Sequence, residues 1–586
     1  MHAIDEYSRN ALFSSVYHRA NEATDFLASV GCLKDQQDVR GVAPIHVAAR
    51  NGDEKSLAIL VDGGANVTIV AEGGRCVLLA LCEGSGDEHG MSEARMVIMN
   101  KLLEAGADPN GSLEAPCRPA QALLLHSDCP DAIRRLLVGG ASVDATDING
   151  NTALHYAAAA GRHESMKVLV EADANFELMN TSGKIPLHVA VEAGDLKAVE
   201  VMSASHNFPK CTSKPDKAGH TPLHLAVMHD KSEIVKKLVA AKSVRDARDL
   251  RGRTPVYLAA FGGRLQCVEE LLAANAVLTM KDNQGRGPLH VAAYARRVDC
   301  IEAMAKREPK LLMAKDLVGM TPLHIAAVRG DADCCAVMLA AATDPNELLQ
   351  ERDDEGRMGI HLASSHGHAE CLERLLESDK SGHANSTMNN GRTPLHLAAL
   401  SGAPECVAVL LDHGVAIDAV DPDGKTALWL AASNGDPDCV ALLLDEGANT
   451  AKVDFKGRSA VYIAAAHGHV QTLSLLAAHK EGLLDTRDHH GVTPLHISAS
   501  KGHAQCCLFL LQNGLNAHAG DDKGRTALHA AAYAGETLCG ITIIRMGGSA
   551  DMLDKQDRTP VTAAVASGHR ECARSLEEEA RRVVVG

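Results

Sequence analysis

The stretch Gly319-Met-Thr-Pro-Leu-His-Ile-Ala-Ala-Val-Arg-Gly-Asp-Ala-Asp-Cys-Cys-Ala-Val-Met-Leu339 decides the fold. It carries a histidine, His324, and ten residues later a cysteine doublet, Cys334 and Cys335. Read alone, a base beside two soft ligands suggests a metal site or a reactive thiol. Read against the whole chain, it is one copy of a period. TPLHLAV begins at Thr221, TPLHLAA at Thr393 and TPLHISA at Thr493; APIHVAA at Ala43, TALHYAA at Thr152, IPLHVAV at Ile185, GPLHVAA at Gly287, MGIHLAS at Met358 and TALHAAA at Thr526 are close variants. The histidine slot falls at Phe13, His46, Leu79, Gln121, His155, His188, His224, Tyr257, His290, His324, His361, His396, Trp429, Tyr462, His496, His529 and Thr562, mostly 33 or 34 residues apart. A period of this length marks a stacked array, in which one repeat cannot bury its own apolar face and is stabilised by its neighbours.

Local chemistry explains each part of the period. Thr321 suits a helix N-cap and Pro322 the first helical position. Asp147-Ile-Asn-Gly150 and Asp421-Pro-Asp-Gly424 are turn sequences whose glycine is free to take positive φ. Gly330 separates two helices, and Ala326 and Ala327 let neighbouring helices approach closely. Aromatic residues are only 3% of the 586, so the core is built from small aliphatic side chains.

The pattern closely resembles the ankyrin repeat family: T-P-L-H-x-A at a helix start, a glycine six residues after the histidine, and a second helix ending in L-L-x-x-G-A. The resemblance covers about 17 repeats and is weakest before Asn151. It implies an all-α ankyrin-repeat solenoid, helix-turn-helix repeats with β-turn fingers, in a curved elongated superhelix. The expected organisation is a degenerate N-terminal capping repeat over 1–38, and three repeats over 39–146, the last two divergent, with an acidic insertion at 83–94. Twelve repeats over 147–553 and a C-terminal capping repeat over 554–586 complete it. The insertion Glu83–Ala94 reads as a mobile loop.

Chemical suspects dissolve into the period. Ten repeats place histidine in the slot of His324, where the family uses it to hydrogen-bond the turn and tie repeats together. The slot of Cys334 recurs as Cys267, Cys300, Cys371, Cys406, Cys439, Cys506, Cys539 and Cys572, broken only by Thr472. Cysteine there reads as a small buried hydrophobe. Packed helices lie about 8–10 Å apart, whereas a disulfide needs Cα atoms within about 7 Å, so the ladder is not expected to oxidise internally. Cys335 and Cys507 are poor co-ligands, because adjacent helical residues point apart. Gly424-Lys425-Thr426 lacks the earlier glycine of a phosphate loop. Asp488-His489-His490-Gly491 has glycine where the palmitoyltransferase motif has cysteine, and Gly84-Ser85-Gly86 follows no strand. The His366/His368 and His467/His469 pairs read as solvated loop residues. No cofactor or metal is expected, and the chain reads as a non-enzyme.

A net charge of −17 argues against a nucleic-acid or anionic-membrane binder. No apolar run approaches the roughly 18 residues of a membrane helix. MHAIDEYSRN is not a signal peptide, which makes the cytoplasm the expected location, with the nucleus as an alternative.

By resemblance, protein partners bind at finger tips and along the first helices. In those slots the candidate partner-binding residues are Leu250, Arg251, Phe261, Tyr294, Leu317, Val318, Met320, Val328 and Arg329. Large apolar and aromatic groups beside arginine are typical of binding hot spots. Phe455 with Lys456, and Tyr533 with Lys523, are weaker candidates. The resemblance implies a protein–protein interaction scaffold or adaptor for one or more partner proteins. A static architectural component of a cytoskeletal or other large assembly is the main variant. Metal- or thiol-dependent activity through the His/Cys slots is the competing class.

Overall fold

The computed structural model describes residues 3–84, 91–112, 115–241, 244–479 and 483–585. The expected mobile loop at 83–94 falls largely on 85–90, outside the described residues; Glu83 closes one helix and Glu93 opens the next. The chain divides into two compact units, Met1–Pro288 and Leu289–Gly586.

Each unit is a run of antiparallel helix pairs. In the second unit, for example, helix Pro322–Arg329 is followed by Ala332–Ala341, Gly359–Ser365 by Ala369–Glu377, and Pro394–Ser401 by Pro404–Asp412. The chain has 17 such pairs among the described residues, plus two short extra helices, Phe208–Cys211 and Pro345–Gln350, each lying between one pair and the next. First helices stack on first helices and second on second, as where Ala332–Ala341 packs against Ala369–Glu377. The only paired strands among the described residues, Val70–Ala71 and Arg75–Cys76, belong to one finger.

Pattern and packing agree residue by residue. Thr321 Oγ1 accepts the His324 N–H at the start of its helix. Leu323, Ala326 and Ala327 are buried on the face that meets neighbouring repeats, and a buried leucine contributes roughly 2 kcal/mol. Gly330 ends the helix at φ 65°, where a Cβ would stand 2.5 Å from the His368 ring of the next repeat. Only glycine combines that conformation with that approach. Helix Arg570–Val585 packs against Thr537–Arg545 and Pro560–Ala566.

Candidate functional site

The histidine ladder is structural. The Thr321 N–H donates to His324 Nδ1 at 3.0 Å, and the Thr321 hydroxyl lies 2.8 Å from the same nitrogen. With Nδ1 accepting, the proton sits on Nε2, which donates to the carbonyls of Arg357 at 3.0 Å and Glu351 at 3.1 Å in the next repeat. His224 does the same through Thr221 and the Arg253 carbonyl. Burial lowers the pKa of these imidazoles, to about 4 for His224 and His361. They are therefore neutral at pH 7.

Other residues in the slot reproduce this bridge by different chemistry. Gln121 Oε1 accepts the Arg118 N–H at 2.7 Å, and its Nε2 donates to the Ala145 and Asn151 carbonyls. The Tyr257 hydroxyl donates to the Asp282 carboxylate at 2.7 Å. Trp429 Nε1 is buried without a hydrogen-bond partner among the described residues; its ring instead faces Lys425 and Arg458 at 5.1 and 5.6 Å.

A second stitch corrects the sequence reading. His368 and His469 are not solvated loop residues. His368 Nε2 donates to the Val328 carbonyl at 3.0 Å, His469 Nε2 to the Ser433 carbonyl at 3.2 Å, and His503 Nε2 to the Ala466 carbonyl at 3.0 Å. Each closes the orphan carbonyls at the end of the preceding repeat's first helix. Arg264 takes the same role toward the Met228 carbonyl. The signal was available, since each of these residues follows the inter-helix glycine of its repeat.

The cysteine ladder is buried throughout, and burial pushes the Cys267, Cys406, Cys439 and Cys506 thiols up to about 12. The helix-spacing argument does not extend to the doublet. Cys335 Sγ lies 3.2 Å from Cys371 Sγ of the next repeat. Among the described residues no three His, Cys, Asp or Glu side chains are placed to share a metal ion.

The fingers hold candidate binding residues on a fixed frame. In many fingers an aspartate side chain folds the turn: Asp249 accepts from the Arg251 and Arg253 N–H groups, and Asp316 from those of Val318 and Met320. Arg253, Arg286, Arg357, Arg458 and Arg525 each pair with the aspartate of their own finger. Burial alone would raise the Asp249 pKa; the Arg253 guanidinium and backbone N–H groups outweigh it and hold it below the usual range. Arg392 has Met388 in place of that aspartate and reaches Asp421 of the next finger at 3.5 Å. Successive fingers are also joined by backbone bonds, such as Asp354 N–H to the Val318 carbonyl at 3.3 Å.

In the first unit, Leu250 is 72% exposed on its finger, Arg251 is exposed beside it, and Phe261 is exposed in the last turn of helix Pro255–Gly262. In the second unit, Leu317 and Val318 are 71% and 55% exposed. Met320 is half-buried, its carbonyl held by His290 Nε2 at 3.1 Å. Val328 is half-buried, its carbonyl taken by His368. Arg329 is exposed; its guanidinium covers the Tyr294 ring at 4.9 Å, and its carbonyl accepts from Arg296. The structure thus brings Tyr294 and Arg329 into direct contact. Phe455 is also exposed, whereas the Tyr533 hydroxyl donates to the Asp554 carboxylate at 3.3 Å.

No helix among the described residues is long and apolar enough to cross a membrane. Ankyrin repeat models match residues 40–72 and, in overlapping groups of three copies, 120–583. Curated relatives include the E3 ubiquitin-protein ligase KEG of Arabidopsis thaliana, 28% identical over 38% of this chain and 14% of its own length. Human Inversin is 29% identical over 41% of this chain and 19% of its own. The chain therefore covers less than a fifth of either relative. Solved structures of the human ASB11 and the Bcl-3 ankyrin repeat domains align at 24% identity and a TM-score of 0.35, over 38% of this chain and 98% of each of theirs. Ankyrin repeats generally mediate protein–protein interaction, and their fold is typically non-catalytic. With family models covering most of its length, this chain belongs to the ankyrin repeat family.

Proposed function

We propose that the protein is a non-catalytic scaffold or adaptor that binds partner proteins through its finger tips and first helices, acting in the cytoplasm or nucleus. The observation that carries this reading is the group of Leu317, Val318, Tyr294 and Arg329: large apolar and cationic side chains exposed on a backbone bonded at nearly every step. A soluble protein rarely leaves such groups on a rigid support without a partner to cover them. An aromatic ring already aligned under an arginine has little entropy left to lose on binding. Leu250, Arg251 and Phe261 form a second group of the same chemistry in the first unit.

The test is affinity purification from native cytosol, with wild type beside a Phe261→Ala, Tyr294→Ala, Arg329→Ala variant. All three side chains are exposed, so the variant should melt as wild type does. The reading expects a specific protein to be lost from the variant alone. Identical partner sets from both proteins would remove these residues from the interface.

A further inference from the structure

The second cysteine of each doublet occupies a slot that the other ladder repeats fill with Val268, Ile301, Leu372, Val407, Val440, Gly540 or Ala573. That slot is on the face of the second helix that packs on the next repeat. In helix Ala332–Ala341, Cys335 there brings its sulfur to 3.2 Å from Cys371 in helix Ala369–Glu377. The sequence repeats the arrangement: Cys507 and Cys539 hold the same two slots on helices Ala504–Gln512 and Thr537–Arg545, which pack against each other, with Ser498 Oγ 3.3 Å from Cys507 Sγ. These are the chain's two cysteine doublets, and in both the next repeat carries a ladder cysteine in the facing slot.

We propose that Cys335–Cys371 and Cys507–Cys539 are oxidative modification sites, at which a peroxide converts two buried thiols into a disulfide that staples consecutive repeats. In the first step a thiolate attacks one peroxide oxygen, giving a sulfenic acid and, after protonation of the leaving oxygen, one water. In the second, the neighbouring thiol sulfur attacks the sulfenic sulfur, forming the S–S bond and releasing a second water. Two electrons pass from the two thiols to one peroxide. The rule that adjacent residues diverge concerns partners on one helix; here the partner is on the next one. At 3.2 Å the sulfurs need only small rotations to bond. Both members of each pair are buried, so the attack proceeds through local opening of the stack.

The experiment treats the native full-length chain with hydrogen peroxide, digests it without reductant and maps linked peptides by mass spectrometry. Incubation continues until the amides of helices Ala332–Ala341 and Ala369–Glu377 have exchanged, so that opening has occurred. The expected links are Cys335–Cys371 and Cys507–Cys539, with Cys334 and Cys506 unlinked. Amide exchange in the stapled helices should slow at least tenfold and recover on reduction. In Cys371→Ala the first link should vanish, dimedone should label Cys335, and the Cys507–Cys539 link should persist as an internal control for folding. Four reduced thiols after that incubation, or links to other cysteines, would overturn the proposal.

Discussion

Replacing His361 by glutamine tests the histidine bridge by removing its proton equilibrium while keeping its hydrogen bonds. Gln121 shows that glutamine performs the bridge in this fold, accepting from one backbone N–H and donating to two carbonyls. His361 accepts the Met358 N–H at 3.3 Å and donates to the Ser386 carbonyl at 2.9 Å. Burial lowers its pKa from 6.5 to about 4. The unfolded imidazole therefore binds a proton as the pH drops below about 6.5, while the folded one resists until about pH 4. Stability falls with pH across that window. At pH 5 the single group costs about 2 kcal/mol, or roughly thirtyfold in the local opening equilibrium. Hydrogen exchange in helix Gly359–Ser365, corrected for the intrinsic pH dependence, reads this directly. Between pH 7 and 5 the wild-type helix should lose about 2 kcal/mol more protection than His361→Gln. Carboxylates titrate alike in both proteins and cancel. Equal losses would refute the claim that the buried neutral imidazole is the acid-sensitive element.

Gly330→Ala should destabilise its repeat by about 1 kcal/mol or more, through both the left-handed backbone and the His368 ring. Chemical denaturation followed by the single Trp429, with exchange mapping to place the change, checks it. Ala327→Arg puts a charge into a fully buried site between repeats and should cost roughly 4 kcal/mol or more, seen as new protease cleavage near the middle of the array. Unchanged melting and protease resistance would contradict the assigned register. Leu317→Asp with Val318→Asp should leave thermal stability within about 0.5 kcal/mol, since both side chains are exposed, yet weaken partner binding at least tenfold by titration calorimetry.

Much of this was legible in the residues, because a repeat states the same physical problem many times. The Thr321–His324 cap, the Gly330 helix end and the burial of Ala326 and Ala327 follow from one period and simple capping chemistry. The His324 and Cys334 slots read as structural for the same reason: a catalytic group would not recur in so many repeats. What stayed hidden lies between repeats. His368 and His469 look like loop residues until the preceding helix end, with its unpaired carbonyls, is placed beside them. Cys335 looks isolated on its own helix, and only stacking puts Cys371 against it. The fingertip residues show the opposite limit. Their exposure was readable, but the backbone bonds that make Val318 and Met320 rigid involve other fingers and the His290 ring.

The central claim is that a preformed surface at finger 316–320 and helix Pro322–Arg329 binds a partner protein. Hydrogen exchange of the free chain and of its complex with the co-purified partner tests this most directly. The account predicts slow exchange of these backbone amides in the free protein and further protection on binding concentrated in the same peptides. Fast exchange in the free chain, or protection confined to other repeats, would contradict it.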